Sequence, residues 1–296
     1  MPALRMPRAR RTLPGMSHTR PLPEWQALAS LEDRALPLLD VALLIARDEY
    51  PDLDPRRYAL RVQGHASHLR RAVEREPQLA LKMRAINHYL FEEVGYAGNH
   101  DEYYDPRNSY INEVFERRLG NPISLALVQM AVSREVGLPL DGVSFPGHFL
   151  VRLPVDNGVL VMDPFNRGRP LDVDELRERA SVHLGGGVPD DDALSQILHP
   201  ASNRAILVRM LRNLHGVYQK HGDWERAVRS ADRLLRLLPD DAEALRDRGL
   251  GYLELGHYSG GREDLQRYLQ RAPGASDAAR VRLRLIESGL QPGRLH

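Results

Sequence analysis

The stretch Arg118-Leu-Gly-Asn-Pro-Ile-Ser-Leu-Ala-Leu127 decides how this chain is read, together with Phe145-Pro-Gly-His-Phe-Leu-Val-Arg152 and Asp163-Pro164 downstream. Pro122 suits the first turn of a helix, where a missing amide donor costs nothing. Ile123, Leu125, Leu127, Val128, Met130, Ala131 and Val132 then make that helix apolar on nearly every face. Such a helix belongs in the middle of a domain. Gly137-Leu-Pro stops it, and Val143 to Phe145 starts a β segment. His148 to Leu153, a turn through residues 154–158 and Val159 to Met162 read as an antiparallel hairpin. If the loop holds an even number of residues, His148 and Asp163 share one face as near-diagonal neighbours within side-chain reach. A helix start, a histidine at a strand entrance and an aspartate after the next strand repeat the layout of nucleophile, base and orienting acid, but the usual nucleophile is not there.

Working outward, residues 95–107 read as an aromatic-rich loop. Asn108 or Ser109 is placed to cap a short helix, Tyr110 to Arg118, and Gly120 to end it. Upstream, from Trp25 to about Val94, apolar residues recur at helical spacing, and Pro51, Pro55 and Pro77 divide the stretch into about three helices. His65 and His68 lie three apart on one of them, but no carboxylate sits at a supporting ligand spacing, so they read as solvated or capping residues. Residues 1–23 hold five arginines, several prolines and no acid, and read as a disordered basic tail in which Met6 or Met16 is an equally good start.

The 296 residues are about twice a typical domain, so two compact units are expected. Lys plus Arg (41) nearly cancels Asp plus Glu (40), which leaves no overall field to attract nucleic acid or acidic lipid. With no cysteine, disulfides, thiolate metal sites and covalent thiol chemistry are excluded. No apolar run approaches a membrane span, and the first residues lack the apolar middle of a secretory signal, which gives a cytoplasmic, soluble expectation. No metal or organic cofactor is indicated.

Beyond a charged helix, Gly185-Gly-Gly and Asp190-Asp-Asp read as a flexible acidic linker over 185–200, and the domain boundary is expected there. After it the sequence repeats with a period of 34: Tyr218 recurs as Tyr252, Gly222 as Gly256, Trp224 as Tyr258, Leu235 as Leu269 and Pro239 as Pro273. This resembles the tetratricopeptide repeat, a two-helix unit. A helix from Ser276 to about Ser288 would cap the pair, giving a repeat unit over 201–290.

Taken together, Tyr103-Tyr-Asp-Pro-Arg-Asn-Ser-Tyr-Ile-Asn, Arg117-Arg-Leu-Gly-Asn-Pro-Ile-Ser-Leu, Gly137-Leu-Pro, Pro146-Gly-His-Phe-Leu-Val-Arg and Asp163-Pro-Phe resemble the transglutaminase-like superfamily. The resemblance is to its bacterial SirB-like branch, in which such a core precedes tetratricopeptide repeats. It implies an α+β fold: an N-terminal helical region over 24–98, a transglutaminase-like (papain-like) core over 99–184 with a small antiparallel sheet, and the repeats. In active superfamily members it implies a cysteine at the start of the central helix, whose thiol is activated by the helix dipole and an imidazole. Counting back from Gly137-Leu-Pro, that position falls on Pro122, while His148 and Asp163 match the base and its orienter.

Two functions follow. In the first, the core is non-catalytic and regulatory, and the repeats recruit a protein or peptide partner. In the second, a hydrolase or acyltransferase uses His148 and Asp163 with Ser124 or water as nucleophile. Helix geometry opposes Ser124, because two residues along the helix turn a side chain by about 200 degrees away from where Pro122 points; its blander role is to satisfy a first-turn amide. Asn121, Tyr104 and Asn108 are candidates to line the same pocket, against a role in turns and caps. Tyr103 and Tyr104 either stack on a ligand or cover the core.

Overall fold

The computed structural model describes residues 22–156 and 158–289. The basic tail and its alternative start positions lie outside the described residues, except for Pro23 and Leu22, and Leu22 is buried in the core. Four helices open the chain: α1 (Trp25–Leu28), α2 (Leu38–Arg47), α3 (Pro55–Arg75) and α4 (Leu79–Asn87), the last running into a π-helical turn, His88–Glu93. Asp54 caps α3 through the amide of Arg56, with Pro55 in its first turn. His65 is not solvated as expected. Its ring bonds with the hydroxyls of Tyr89 (3.0 Å) and Tyr96 (3.4 Å), and burial lowers its pKa.

A two-residue strand β1 (Ala97–Gly98) pairs in parallel with β2 (Leu119–Gly120), on either side of α5 (Ile111–Arg117). Here the expected caps are displaced. Tyr110 occupies the N-cap position with no side-chain bond, Asn108 closes the 3-10 turn Pro106–Asn108, and Arg118 ends the helix with φ 61°. Gly120 was needed for something else, since a Cβ there would sit 2.7 Å from Ser124 Oγ and 3.0 Å from Leu125 Cγ.

The central helix α6 (Pro122–Glu135) is buried from Pro122 through Met130 and again at Val132 and Ser133. Each fully buried Leu, Ile or Val contributes about 1.5–3 kcal/mol of apolar transfer, and α3, α5 and a four-stranded antiparallel sheet supply the partners. The sheet runs β3 (Asp141–Val143), β4 (Leu150–Val155), β5 (Gly158–Asp163), β6 (Arg169–Leu171) in spatial order. Strand alternation gives it two different faces. Val151, Leu153 and Met162 join the main core, whereas Val143, Leu150, Val161 and Leu171 meet a second cluster from α7 (Val173–His183) and α8 (Asp191–Ile197).

α8 corrects the expected linker. Asp190 caps it through the amide of Ala193, and Leu194 and Leu198 bury against the sheet, because an acidic N-terminus followed by apolar residues at helical spacing is a helix with a docking face. The repeats follow as α9 (Asn203–Lys220) with α10 (Trp224–Leu237), α11 (Ala242–Glu254) with α12 (Tyr258–Arg271), and a final α13 (Ala278–Gly289). Nor are there two separate cores at this boundary. Ile206, Leu207, Leu211, Leu214 and Tyr218 of α9 and Ala227, Leu234 and Leu237 of α10 belong to the main core, while the second repeat holds its own cluster around Leu253 and Leu265. Polar contacts weld the same joint: Asp33 accepts the amides of Asn203 and Arg204, both at 2.9 Å, and Arg233 forks onto Asp48 at 2.8 and 2.9 Å.

Candidate functional site

The hairpin register sets the site. Val151 stands opposite Met162, Leu153 opposite Leu160 and Val155 opposite Gly158, so two residues form the loop, an even number. Continued by one pair, this register sets Leu150 against Asp163 and leaves His148 diagonal to it. His148 lies on a turn closed by its amide to the carbonyl of Phe145 (3.1 Å), with Pro146 and Gly147 between. Gly147 has φ 64°, and a Cβ there would lie 2.2 Å from the ring of His183, so any other residue is strained in its backbone and must displace that ring.

His148 Nε2 meets Asp163 Oδ1 at 2.8 Å; the imidazole is 20% exposed and the carboxylate fully buried. Asp163 Oδ1 also accepts the amides of Phe165 (3.1 Å) and Asn166 (3.3 Å). Its Oδ2 accepts Asn166 Nδ2 at 2.7 Å and Arg179 Nη1 at 2.9 Å. Burial by itself would raise the pKa of this carboxyl, but the bond and charge of His148, with Asn166 and Arg179, outweigh it and bring the value down to about 2. An ionised Asp163 accepts the hydrogen bond from Nε2–H, and in the neutral imidazole this places the lone pair on Nδ1. Among the described residues Nδ1 has no hydrogen-bond partner. Phe165 stands edge-on to the imidazole at 6.0 Å and also meets His100 (4.5 Å) and Tyr103 (5.9 Å).

The helix start holds a different network. Asn121 caps α6 by accepting the amides of Ile123 (3.1 Å) and Ser124 (3.0 Å), and Ser124 Oγ accepts the amide of Asn121 at 3.0 Å. The Ser124 hydroxyl donates to the carbonyl of Asn108 at 2.6 Å, is fully buried, and makes no hydrogen bond to His148. Strand alternation explains the separation: Asp163 lies two residues from Val161, on the face that looks toward α7, while Met162 looks toward the main core. Asn121 and Asn108 are engaged in holding the loop and the helix start. Asn121 Nδ2 donates to Ser109 and Asn108 bonds with Asn99, both buried, and Asn108 also donates to the carbonyls of Glu102 and Tyr103. Tyr104 is exposed, and Lys220 Nζ lies 3.5 Å from its ring centroid.

Arg179, Asn166 and His183 were not singled out from sequence. Arg179 is sixteen residues past Asp163 on a charged helix, and no spacing rule ties it to the pair.

Residues 56–212 match the family model described as transglutaminase-like superfamily, and residues 214–285 match a tetratricopeptide repeat model. The chain belongs to the transglutaminase-like superfamily. A UPF0162 protein of Xylella fastidiosa is 64% identical over 266 residues, 90% of this chain and 95% of that protein. One from Vibrio cholerae is 30% identical over 193 residues, covering 65% of this chain and 70% of the relative. F-box only protein 21 of mouse is 30% identical over 184 residues, 58% of this chain but 28% of that protein. This SirB-like architecture, a transglutaminase-like core followed by tetratricopeptide repeats, is α+β, and none of its helices, among the described residues, is long and apolar enough to cross a membrane. The superfamily model reaches into α9, in agreement with the shared core.

Proposed function

We propose that this protein is an interaction module whose transglutaminase-like core has no catalytic nucleophile and whose repeats hold a protein partner. The observation that carries this reading is the start of α6: proline at the nucleophile position, no cysteine in the chain, and the nearest hydroxyl, Ser124, spent between Asn108 and Asn121. Arg179 and Asn166 hold Asp163, and through it His148, as part of the scaffold that joins α7 to the sheet. The repeats support the partner side of the reading, since helix pairs of this type form grooves for peptides. The mouse F-box relative supports reuse of the segment as one part of a larger protein, since the match covers 28% of its length.

The test is intact-mass labelling with a serine-reactive fluorophosphonate, comparing wild type with Ser124→Ala and His148→Ala. No adduct is expected. One adduct lost in both variants would make Ser124 an activated nucleophile and overturn the proposal.

One observation favours a second reading, in which His148 activates water: Nδ1 has no partner among the described residues, and the Nε2 bond to Asp163 leaves its lone pair free in the neutral imidazole. Hydrolysis of activated acyl esters, lost in His148→Ala but kept in Ser124→Ala, would establish it.

A further inference from the structure

Helix α9 contains no Asp or Glu in eighteen residues, although the chain holds 40 acids, and it carries Arg204, Arg209, Arg212 and Lys220. Its inner face supplies the main core. Its outer face presents Ala205, Arg212, Asn213, Gly216 and Lys220 exposed, with Arg209 half-buried among them. Arg209 and Lys220 are eleven positions apart, about three helical turns, and so lie on one line.

Neither cation has a carboxylate partner among the described residues. Arg209 donates to the carbonyl of Phe145 at 3.2 Å and lies 5.7 Å from the centroid of Phe149, and burial lowers its pKa. Lys220 rests on Tyr104. By contrast, Arg212 is paired with Asp241 (2.8 Å) and Glu243 (3.2 Å), and Arg226, Arg233, Arg246 and Arg248 all have acids. A desolvated guanidinium left without a counter-charge is costly unless a ligand supplies one. Arg209 also faces a groove of about 590 Å³ with an apolar floor of Ala205, Val208 and Leu238. The carbonyl that it holds is the one that closes the His148 turn, so the groove and the candidate site share a wall.

We infer that the outer face of α9 is the receptor for an acidic peptide segment of a partner protein, with Arg209 taking a carboxylate and apolar side chains of the peptide resting on Val208 and Leu238. This deepens the interaction-module reading and rests on it. Nucleic acid fits less well, because among the described residues the row has only Arg209 and Lys220 without a counter-charge, Arg204 off the row being spent on the carbonyls of Leu28, Leu31 and Leu237, and a phosphate backbone would need a longer basic track.

The test uses the full chain and three fluorescein-labelled probes followed by anisotropy: a peptide of alternating aspartate and leucine, one of alternating lysine and leucine, and single-stranded oligothymidylate. The acidic peptide is expected to bind alone and to weaken with salt. Arg209→Gln should weaken it about tenfold or more, and the exposed Lys220→Gln should weaken it severalfold without a change in thermal unfolding, which guards against misfolding of the first variant. Equal binding of the lysine peptide, tighter binding of the oligonucleotide, or unchanged affinity in Lys220→Gln and a folded Arg209→Gln would overturn the inference. A photo-crosslinking residue placed in cells at Asn213 or at Tyr252 separates it from the reading beneath it. Adducts at Asn213 that are lost in Arg209→Gln support both; adducts at Asn213 that persist in Arg209→Gln, or adducts from Tyr252 alone, keep the interaction module and remove the α9 receptor; adducts at neither count against both.

Discussion

The hydroxyl of Ser124 donates to the backbone carbonyl of Asn108 at 2.6 Å and accepts the amide of Asn121 at 3.0 Å. A serine so placed is a structural clamp between the aromatic loop and the central helix. Ser124→Ala leaves a buried amide with one partner fewer and should lower unfolding free energy by about 2 kcal/mol. Urea unfolding checks this; a variant as stable as wild type would show that the clamp contributes nothing.

Asp163 gives a pH signature. Its folded pKa, about 2, lies below the unfolded value of 3.8, so its contribution is fully present above the unfolded pKa and fades as pH falls through the folded one. Wild type should exceed Asp163→Asn in stability at pH 6, and that gap should narrow by about 2 kcal/mol by pH 2. A gap independent of pH would remove the ionised carboxylate from the site.

Arg179 contacts Asp163 from α7 and ties on to Glu175 at 2.7 Å. Arg179→Met strips one partner from a buried carboxylate and should cost about 2 kcal/mol. The same variant should raise the Asp163 pKa, read as a shift to higher pH in the acid unfolding midpoint.

The turn at Gly147 can be tested by a cycle. Gly147→Ala should destabilise by about 2 kcal/mol or more, from positive φ and from collision with His183. Adding His183→Ala should recover the collision part and leave about 1 kcal/mol for the backbone. No recovery would mean that the ring moves aside freely.

Core and first repeat should unfold together. Trp25 and Trp224 are the two tryptophans, so their fluorescence and far-UV circular dichroism should give one coincident transition for residues down to α10. Asp33→Ala removes the acceptor for two amides of α9 and should lower that transition by about 1 kcal/mol. A separate transition for α9 and α10 would contradict the shared core.

The sequence by itself determined the central helix, the hairpin, the repeat period and the missing thiol. Each of these is a local pattern: an apolar run opened by Asn121-Pro122, an alternating strand pair across a turn read over 154–158, and a 34-residue recurrence. It allowed His148 and Asp163 to meet on condition of an even loop, and the register with Val155 opposite Gly158 supplies that condition. What only the tertiary structure decided lies far apart in the chain. Arg179 on Asp163, Asp33 on the start of α9, and Arg209 beneath the turn of His148 are meetings set by packing, with no spacing to announce them. The same holds for the boundary near residue 200, where flexible-looking glycines lead to acids that in fact open α8, and burial of α9 against the core joins both sides. Local sequence encodes periodicity and turn chemistry, whereas the partners of a buried charge depend on which faces must leave water together.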